Sequence, residues 1–210
     1  MIRERRNKEK LTAYYSKFME EGLVDTNVHP WVETSWLRCR NLNLQTENLS
    51  GLTRLNKTEL TSLLKANASV IKFVDGLFDQ VRNHFAAHNM SMLLLDEQGY
   101  GLKEYNAAYF PKTQLGDVVG WRLQEKDIGT SSISVAMERG TAFLMFGPEM
   151  WIKQCHGFDY FSGPVNVNGK VRYIISFSCP DQNELPYDLL LSLLMTMKFA
   201  LEQFLSRMEY

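Results

Sequence analysis

The sequence is short of cysteine, of net charge and of long apolar runs. Three thiols, Cys39, Cys155 and Cys179, occur in 210 residues. They are odd in number, far apart and in no CxxC pair. That argues against a disulfide framework or a zinc site and fits a reducing compartment. Lys plus Arg total 23 and Asp plus Glu 24, a formal net charge of -1. The chain as a whole therefore has no strong field to attract nucleic acid or anionic lipid. The basic run Arg3, Arg5, Arg6, Lys8 and Lys10 reads as a solvated helix start rather than a nucleic-acid patch. The most apolar stretch, Leu185 to Leu205, is broken by Asp188, Ser192, Thr196, Lys198, Glu202 and Gln203, so an amphipathic helix is expected there and not a membrane span. Met1 leads into charge and not into a secretory signal. No phosphate loop of the GxxxxGKS or GxxxxGKT type, no internal repeat and no low-complexity tract is present. A soluble, cytoplasmic chain is the expectation, with no cofactor called for.

Against these absences, the hydrophobic share is 45% and the charged share 22%, ordinary globular usage. Two short helices are expected over about Lys8 to Leu23 and Pro30 to Leu42, the second opening on a proline that suits a first helical position. A polar connector with Gly51 follows. Residues 1–54 thus form a helical extension, and residues 55–210 one domain. Asn56 with Glu59 makes a helix start with a reciprocal partner. Apolar residues from Leu60 to Phe85 then recur every three or four positions, predicting one long helix over about Lys57 to His88.

At residue 89 the period changes. SMLLLD (91–96) and GLKEY (101–105), separated by Gln98-Gly99, predict a hairpin. A short helix over about Thr130 to Arg139 ends at Gly140. TAFLMF (141–146) is a strand, and residues 147–157 a loop or short helix. DYFSGPVNV (159–167), Asn168-Gly169 and KVRYIISFS (170–178) form the clearest hairpin, since Asn-Gly supplies the positive φ that a two-residue turn demands. A final helix, about Pro186 to Met208, carries Leu190, Leu194, Met197, Leu201, Phe204 and Met208 at heptad spacing. Helices that segregate from an antiparallel sheet make an α+β fold.

Cys155-His156 is the most enzyme-like feature. Consecutive side chains diverge, however, and nothing nearby marks an orienting group, so catalysis is not expected. His84 and His88 share a helix face but lack further ligands for zinc. A concave ligand site is the better reading. Three inputs would converge on it: Trp121 with the loop to Asp127, the helix start at Thr130 and Ser131, and the run Met145, Phe146, Met150, Trp151, Cys155, His156, Phe158, Tyr160 and Ser162. Helix-start N–H groups can hold an anion or hydroxyl, and apolar walls with sparse donors suit a small molecule. The aromatic positions fit a pocket wall and a packed core equally well, and Thr130 or Asp127 also suits an ordinary helix cap. The heptad seam and the long amphipathic helix exceed what one small sheet needs, which points to a homodimer.

ETSWLRCRNLNL (Glu33 to Leu44) resembles the serine-tryptophan-x-arginine-cysteine segment ahead of the sensor domain in a group of sigma-54-dependent activators, the acetoin-catabolism and dihydroxyacetone-kinase-operon regulators. GWRLQEKDIGTSSISVAMERG (Gly120 to Gly140) resembles that family's tryptophan loop and glycine-threonine helix start. TAFLMFGPEMW (Thr141 to Trp151) takes the place of its strand and glycine-x-glutamate-histidine loop, and FSGPVNVNGKVRYIISFS (Phe161 to Ser178) is similar to the closing hairpin of a GAF domain. Two departures stand out. Met150 follows Glu149 where the family has histidine, and Tyr160 to Pro164 replaces a cysteine-serine-alanine-alanine-proline run. The resemblance covers about residues 30–180. It implies a GAF-like antiparallel sheet with long helices on one side and a ligand pocket on the other. It further implies a small-molecule effector, and sigma-54 RNA polymerase and DNA as partners only through ATPase and DNA-binding domains outside this sequence. The chain is then a sensory fragment or a stand-alone relative. A ligand-free interaction module is the alternative.

Overall fold

The computed structural model describes residues 7–47, 52–106, 117–181 and 186–208. Helix α1 spans Lys8–Glu21, with the Asn7 side chain accepting from the Lys10 backbone N–H and Gly22 closing it at φ +77°. Helix α2, Pro30–Asn41, starts on its proline with the His29 ring accepting from the Trp31 N–H. Helix α3, Lys57–Ala66, has the reciprocal Asn56/Glu59 cap, and helix α4 spans Ala68–Ala87. The remaining elements are β1 (Ser91–Asp96), β2 (Gly101–Tyr105), α5 (Glu125–Ile128), α6 (Ser132–Arg139), β3 (Phe143–Met145), β4 (Phe158–Val167), β5 (Lys170–Pro180) and α7 (Tyr187–Met208), with short 3₁₀ turns at Gly147–Glu149 and Lys153–Cys155. The strands form one five-stranded sheet in the order β2-β1-β5-β4-β3, and every neighbouring pair is antiparallel. Asn168 (φ 51°) and Gly169 (φ 75°) make the β4–β5 turn as their sequence demands.

The single helix expected over Lys57 to His88 is in fact two. Asn67 leaves helical geometry at φ -103°, ψ 11°. Its amide donates back to the Leu63 carbonyl at 2.8 Å, and its oxygen accepts from the Tyr173 hydroxyl of β5 at 2.7 Å. A side chain that bonds its own backbone and a strand competes with helix continuation. The periodicity carries on across the break, so the pattern alone did not reveal it.

The two sheet faces differ in kind. One presents Met92, Leu94, Phe161, Val165, Ile175 and Phe177, packed against Val74, Phe78 and Phe85 of α4 and Leu190, Leu194 and Leu201 of α7. Gly163 allows α7 to come close: a Cβ there would stand 3.2 Å from Leu194 Cγ. Alternation puts Ser91, Leu93 and Leu95 of β1, Ile174, Ser176 and Ser178 of β5, and Tyr160 and Ser162 of β4 on the other face. The fold is α+β, with a GAF-like sheet covered on one face by the long helices α4 and α7.

Candidate functional site

The short helix start at α6 is held by α2. Ser131, not Thr130 or Asp127, caps α6, and it does so reciprocally with Ser134. The Thr130 hydroxyl instead meets Ser35 Oγ at 2.7 Å and Cys39 Sγ at 3.4 Å. Ser35 also donates to Glu125 at 2.5 Å. Arg38 reaches Glu125 through Nε at 2.6 Å and Nη2 at 2.7 Å, and Glu138 through Nη2 at 2.6 Å. The Trp36 indole donates to the Glu149 carbonyl at 2.9 Å. The serine-tryptophan-x-arginine-cysteine segment is therefore a clasp that fastens α2 to α5, to the start of α6 and to the loop after β3. The Asp127 carboxylate is engaged by Arg122 at 2.8 and 3.0 Å and by the Thr53 hydroxyl at 3.1 Å.

Gly129 brings the Trp151 indole onto this turn. Its φ is +69°, and a Cβ would lie 2.3 Å from Trp151 Cγ. The Trp151 backbone N–H donates to the Thr130 carbonyl at 2.9 Å. Met145, Met150, Trp151, Cys155 and Tyr160 gather in one cluster, with Phe158 at its margin. The extension fills that cluster: Tyr15, Phe18 and Trp36 are buried in it, and the Tyr15 hydroxyl donates to the Trp151 carbonyl at 2.8 Å. Phe146 points the other way, into the α4–α7 core beside Tyr187. Trp121 belongs to a third cluster with Leu93, Ile128 and Ile174. Its ring lies under the Arg54 guanidinium at 4.9 Å, and its indole N–H is buried without a partner.

Ser162 sits where the sequence reasoning had one hydroxyl and the sheet supplies several. Ser162 Oγ contacts Ser132 Oγ at 2.7 Å and Ser176 Oγ at 2.8 Å. One row further along the same face, Ser91 Oγ meets Ser178 Oγ at 2.5 Å. All five serines are buried, none above 5% exposed. Each hydroxyl carries one proton and two lone pairs. The three-membered chain has two links and three protons; the pair has one link and two. One donor in each group is thus left for another acceptor. Ser91, Ser132, Ser176 and Ser178 were missed. The signal was the alternation in IISFSC, where serine occupies every second place and small hydroxyls line one strand face.

A likeness to solved structures accompanies this geometry. The structure of the E. coli DhaR(N)–DhaL complex matches with TM-score 0.71 and 19% identity over 86% of this chain and 64% of that one. The two share a fold. The chain thus spans a little under two thirds of that neighbour's length, at 64%. Pseudomonas aeruginosa HmgR matches with TM-score 0.43 and 14% identity over 93% of this chain and 95% of that one. An IclR homolog from Microbacterium sp. strain HM58-2 matches with TM-score 0.39 and 12% identity over 83% and 84%. No protein-family model matches the sequence, and no curated protein does.

The thiol next to the site is not poised for attack. Burial pushes Cys155 up to about 11, which keeps it protonated at neutral pH. The His156 ring contacts the Met150 carbonyl through Nε2 at 3.0 Å, and burial lowers its pKa, so it acts as a neutral donor. No group of three or more His, Cys, Asp and Glu suited to a metal occurs among the described residues. An open groove of about 510 Å³ lies between α2, α5 and α6, lined in part by Arg38, Leu42, Glu125, Met137 and Glu138. None of the residues expected at the ligand site lines it.

Proposed function

We propose that the chain is a small-molecule-sensing regulatory domain of a bacterial transcription activator, and that the ligand sits against the serine face of the sheet. The supporting observation is the buried hydroxyl set Ser91, Ser178, Ser176, Ser162 and Ser132, with its unused donors. Leaving donors inside a protein is unfavourable unless something accepts from them. The five side chains bear no charge, so a neutral compound rich in hydroxyl or carbonyl oxygen fits them best. The cluster of Met145, Met150, Trp151, Cys155 and Tyr160, closed by Tyr15 and Trp36 of the extension, serves as the wall of that site. Residues 1–54 are the extension and residues 55–210 the sensor. Two copies pair through helices, and occupancy passes to ATPase and DNA-binding domains outside this sequence that engage sigma-54 RNA polymerase in the cytoplasm.

A second reading has its own support. The extension packs Tyr15, Phe18 and Trp36 where aromatic pocket walls were expected, and the neighbour of the same fold was solved in complex with a second protein, DhaL. A docking module without small-molecule ligand would look the same there. A thermal-shift panel of small hydroxyketones, polyols, aromatic acids and phosphorylated metabolites separates the two. A ligand at a hundredfold excess over its Kd adds about 2.7 kcal/mol. Stabilisation by neutral oxygen-rich compounds supports the sensor; indifference to the whole panel favours the docking module.

A further inference from the structure

The heptad residues expected at a dimer seam lie elsewhere. Leu190, Leu194, Met197 and Leu201 are buried in the protein's own core, at 0–4% exposed, and Phe204 stacks on Phe73 of α4 at 4.2 Å. Met208 alone of the six is exposed. The opposite stripe of α7 is the unpartnered one. Leu189, Met195 and Phe199 are 56%, 43% and 61% exposed, and α7 holds four of the seven exposed large hydrophobics among the described residues. The other side chains on the stripe are Ser192, Thr196, Gln203 and Ser206. Three of their hydroxyls bond back to the helix's own carbonyls: Ser192 to Asp188, Thr196 to Ser192 and Ser206 to Glu202. They present little unmet polarity. Lys198 and Glu202 pair with each other at 2.5 Å, their side chains only 13% and 16% exposed, and Glu202 also accepts from the Asn166 N–H of β4. The stripe is thus free of charge between Asp188 near its start and Arg207 near its end.

We infer that this stripe is the contact between two copies of the chain, and that the two α7 helices run antiparallel across a two-fold axis near residues 197 and 198. The inference rests on the two-copy reading above and specifies its surface and direction. The end charges decide the direction. Antiparallel pairing sets Asp188 of each copy beside Arg207 of the other; parallel pairing sets Asp188 against Asp188 and Arg207 against Arg207. The antiparallel two-fold makes the favourable Asp188–Arg207 pair twice, whereas the parallel one makes two like-charge pairs, each once. The same axis brings Met195 and Thr196 against Phe199 of the other copy, a thioether-on-aromatic contact suited to a small apolar centre. A lipid surface is the less suitable occupant, because the stripe has no cationic flank and the far side of α7 is fixed in the core.

The test uses the whole chain in analytical ultracentrifugation. Wild type is expected to be a dimer, and Phe199→Asp, at an exposed position, a monomer with an unchanged far-ultraviolet circular dichroism spectrum, its melting point lowered only by the lost association. Asp188→Lys and Arg207→Glu each weaken association at least tenfold, and the double reversal restores it. Under oxidation Ser192→Cys alone does not cross-link, since two such sites lie about 16 Å apart along an antiparallel pair. Mixed with Gln203→Cys it does. A wild-type monomer overturns the inference together with the two-copy reading. A dimer that ignores Phe199→Asp, or that cross-links through Ser192→Cys alone, overturns the inference and leaves the two-copy reading standing. Flotation with phosphatidylglycerol vesicles, abolished by Phe199→Asp, assigns the stripe to lipid and overturns it as well.

Discussion

The Tyr187 hydroxyl at the start of α7 donates to the buried Asp159 carboxylate at the start of β4. The other oxygen of that carboxylate accepts from Lys8 of α1 at 2.8 Å and from the Gly147 N–H at 3.2 Å. Three parts of the chain that are distant in sequence thus meet on one fully buried side chain. The next residue, Tyr160, projects to the opposite face, toward the aromatic cluster. The node thus joins the start of β4 to the start of α7 by direct contact.

Tyr187→Phe removes one donor from a buried carboxylate. Hydrogen bonds to charged groups contribute about 1.5–3 kcal/mol, so urea unfolding is expected to show about 2 kcal/mol of lost stability. A change below about 0.5 kcal/mol would mean that the node is not holding α7.

Gly129→Ala places a methyl group into the Trp151 indole and asks an L side chain to adopt φ +69°. Both terms are unfavourable, and about 3 kcal/mol or more is expected. Trp151→Ala in the same background should not recover that loss, because the Trp151 Cβ itself would stand 2.5 Å from the new methyl and the packing of the buried indole is lost as well.

Ser176→Ala and Ser178→Ala remove hydroxyls without changing the sheet. Once a stabilising compound is known, each is expected to weaken its binding about tenfold, or 1.4 kcal/mol, with the unliganded melting temperature nearly unchanged. Isothermal titration reads this directly. Equal binding by wild type and both variants would move the ligand away from the serine face.

Glu104 supplies a pH signature. Burial, first, and the neighbouring Asp117, second, raise its pKa from an ordinary 4.5 to about 7, and one of its oxygens is buried without a partner. The folded protein then holds a proton that the unfolded chain has released. Stability from this group is fully present below pH 4.5 and declines as pH rises through about 7. Glu104→Gln, which keeps the shape without the titration, is expected to flatten that decline in melts between pH 5 and 8. If wild type and variant show the same pH slope, another group is responsible.

Local chemistry in the sequence was enough for most elements. Asn56 with Glu59, Pro30, Gly140 and Asn168-Gly169 act within a few residues of themselves, and each starts or stops an element where its stereochemistry requires. Strand alternation likewise fixed which hairpin residues share a face. The break at Asn67 was not legible, because it depends on Tyr173, more than a hundred residues away.

The site divides along the same line. The order of residues determined that Thr130 stands at a helix start, that serines alternate with Ile175, Phe177 and Cys179 on β5, and that α7 is apolar around most of its girth. Only tertiary packing decided that Thr130 bonds to α2 and that Ser162 joins serines from α6 and β5. Packing also placed Phe146 on the far face, and chose which stripe of α7 is buried. A periodic sequence presents several faces, and which of them meets the sheet depends on surfaces contributed by residues far along the chain.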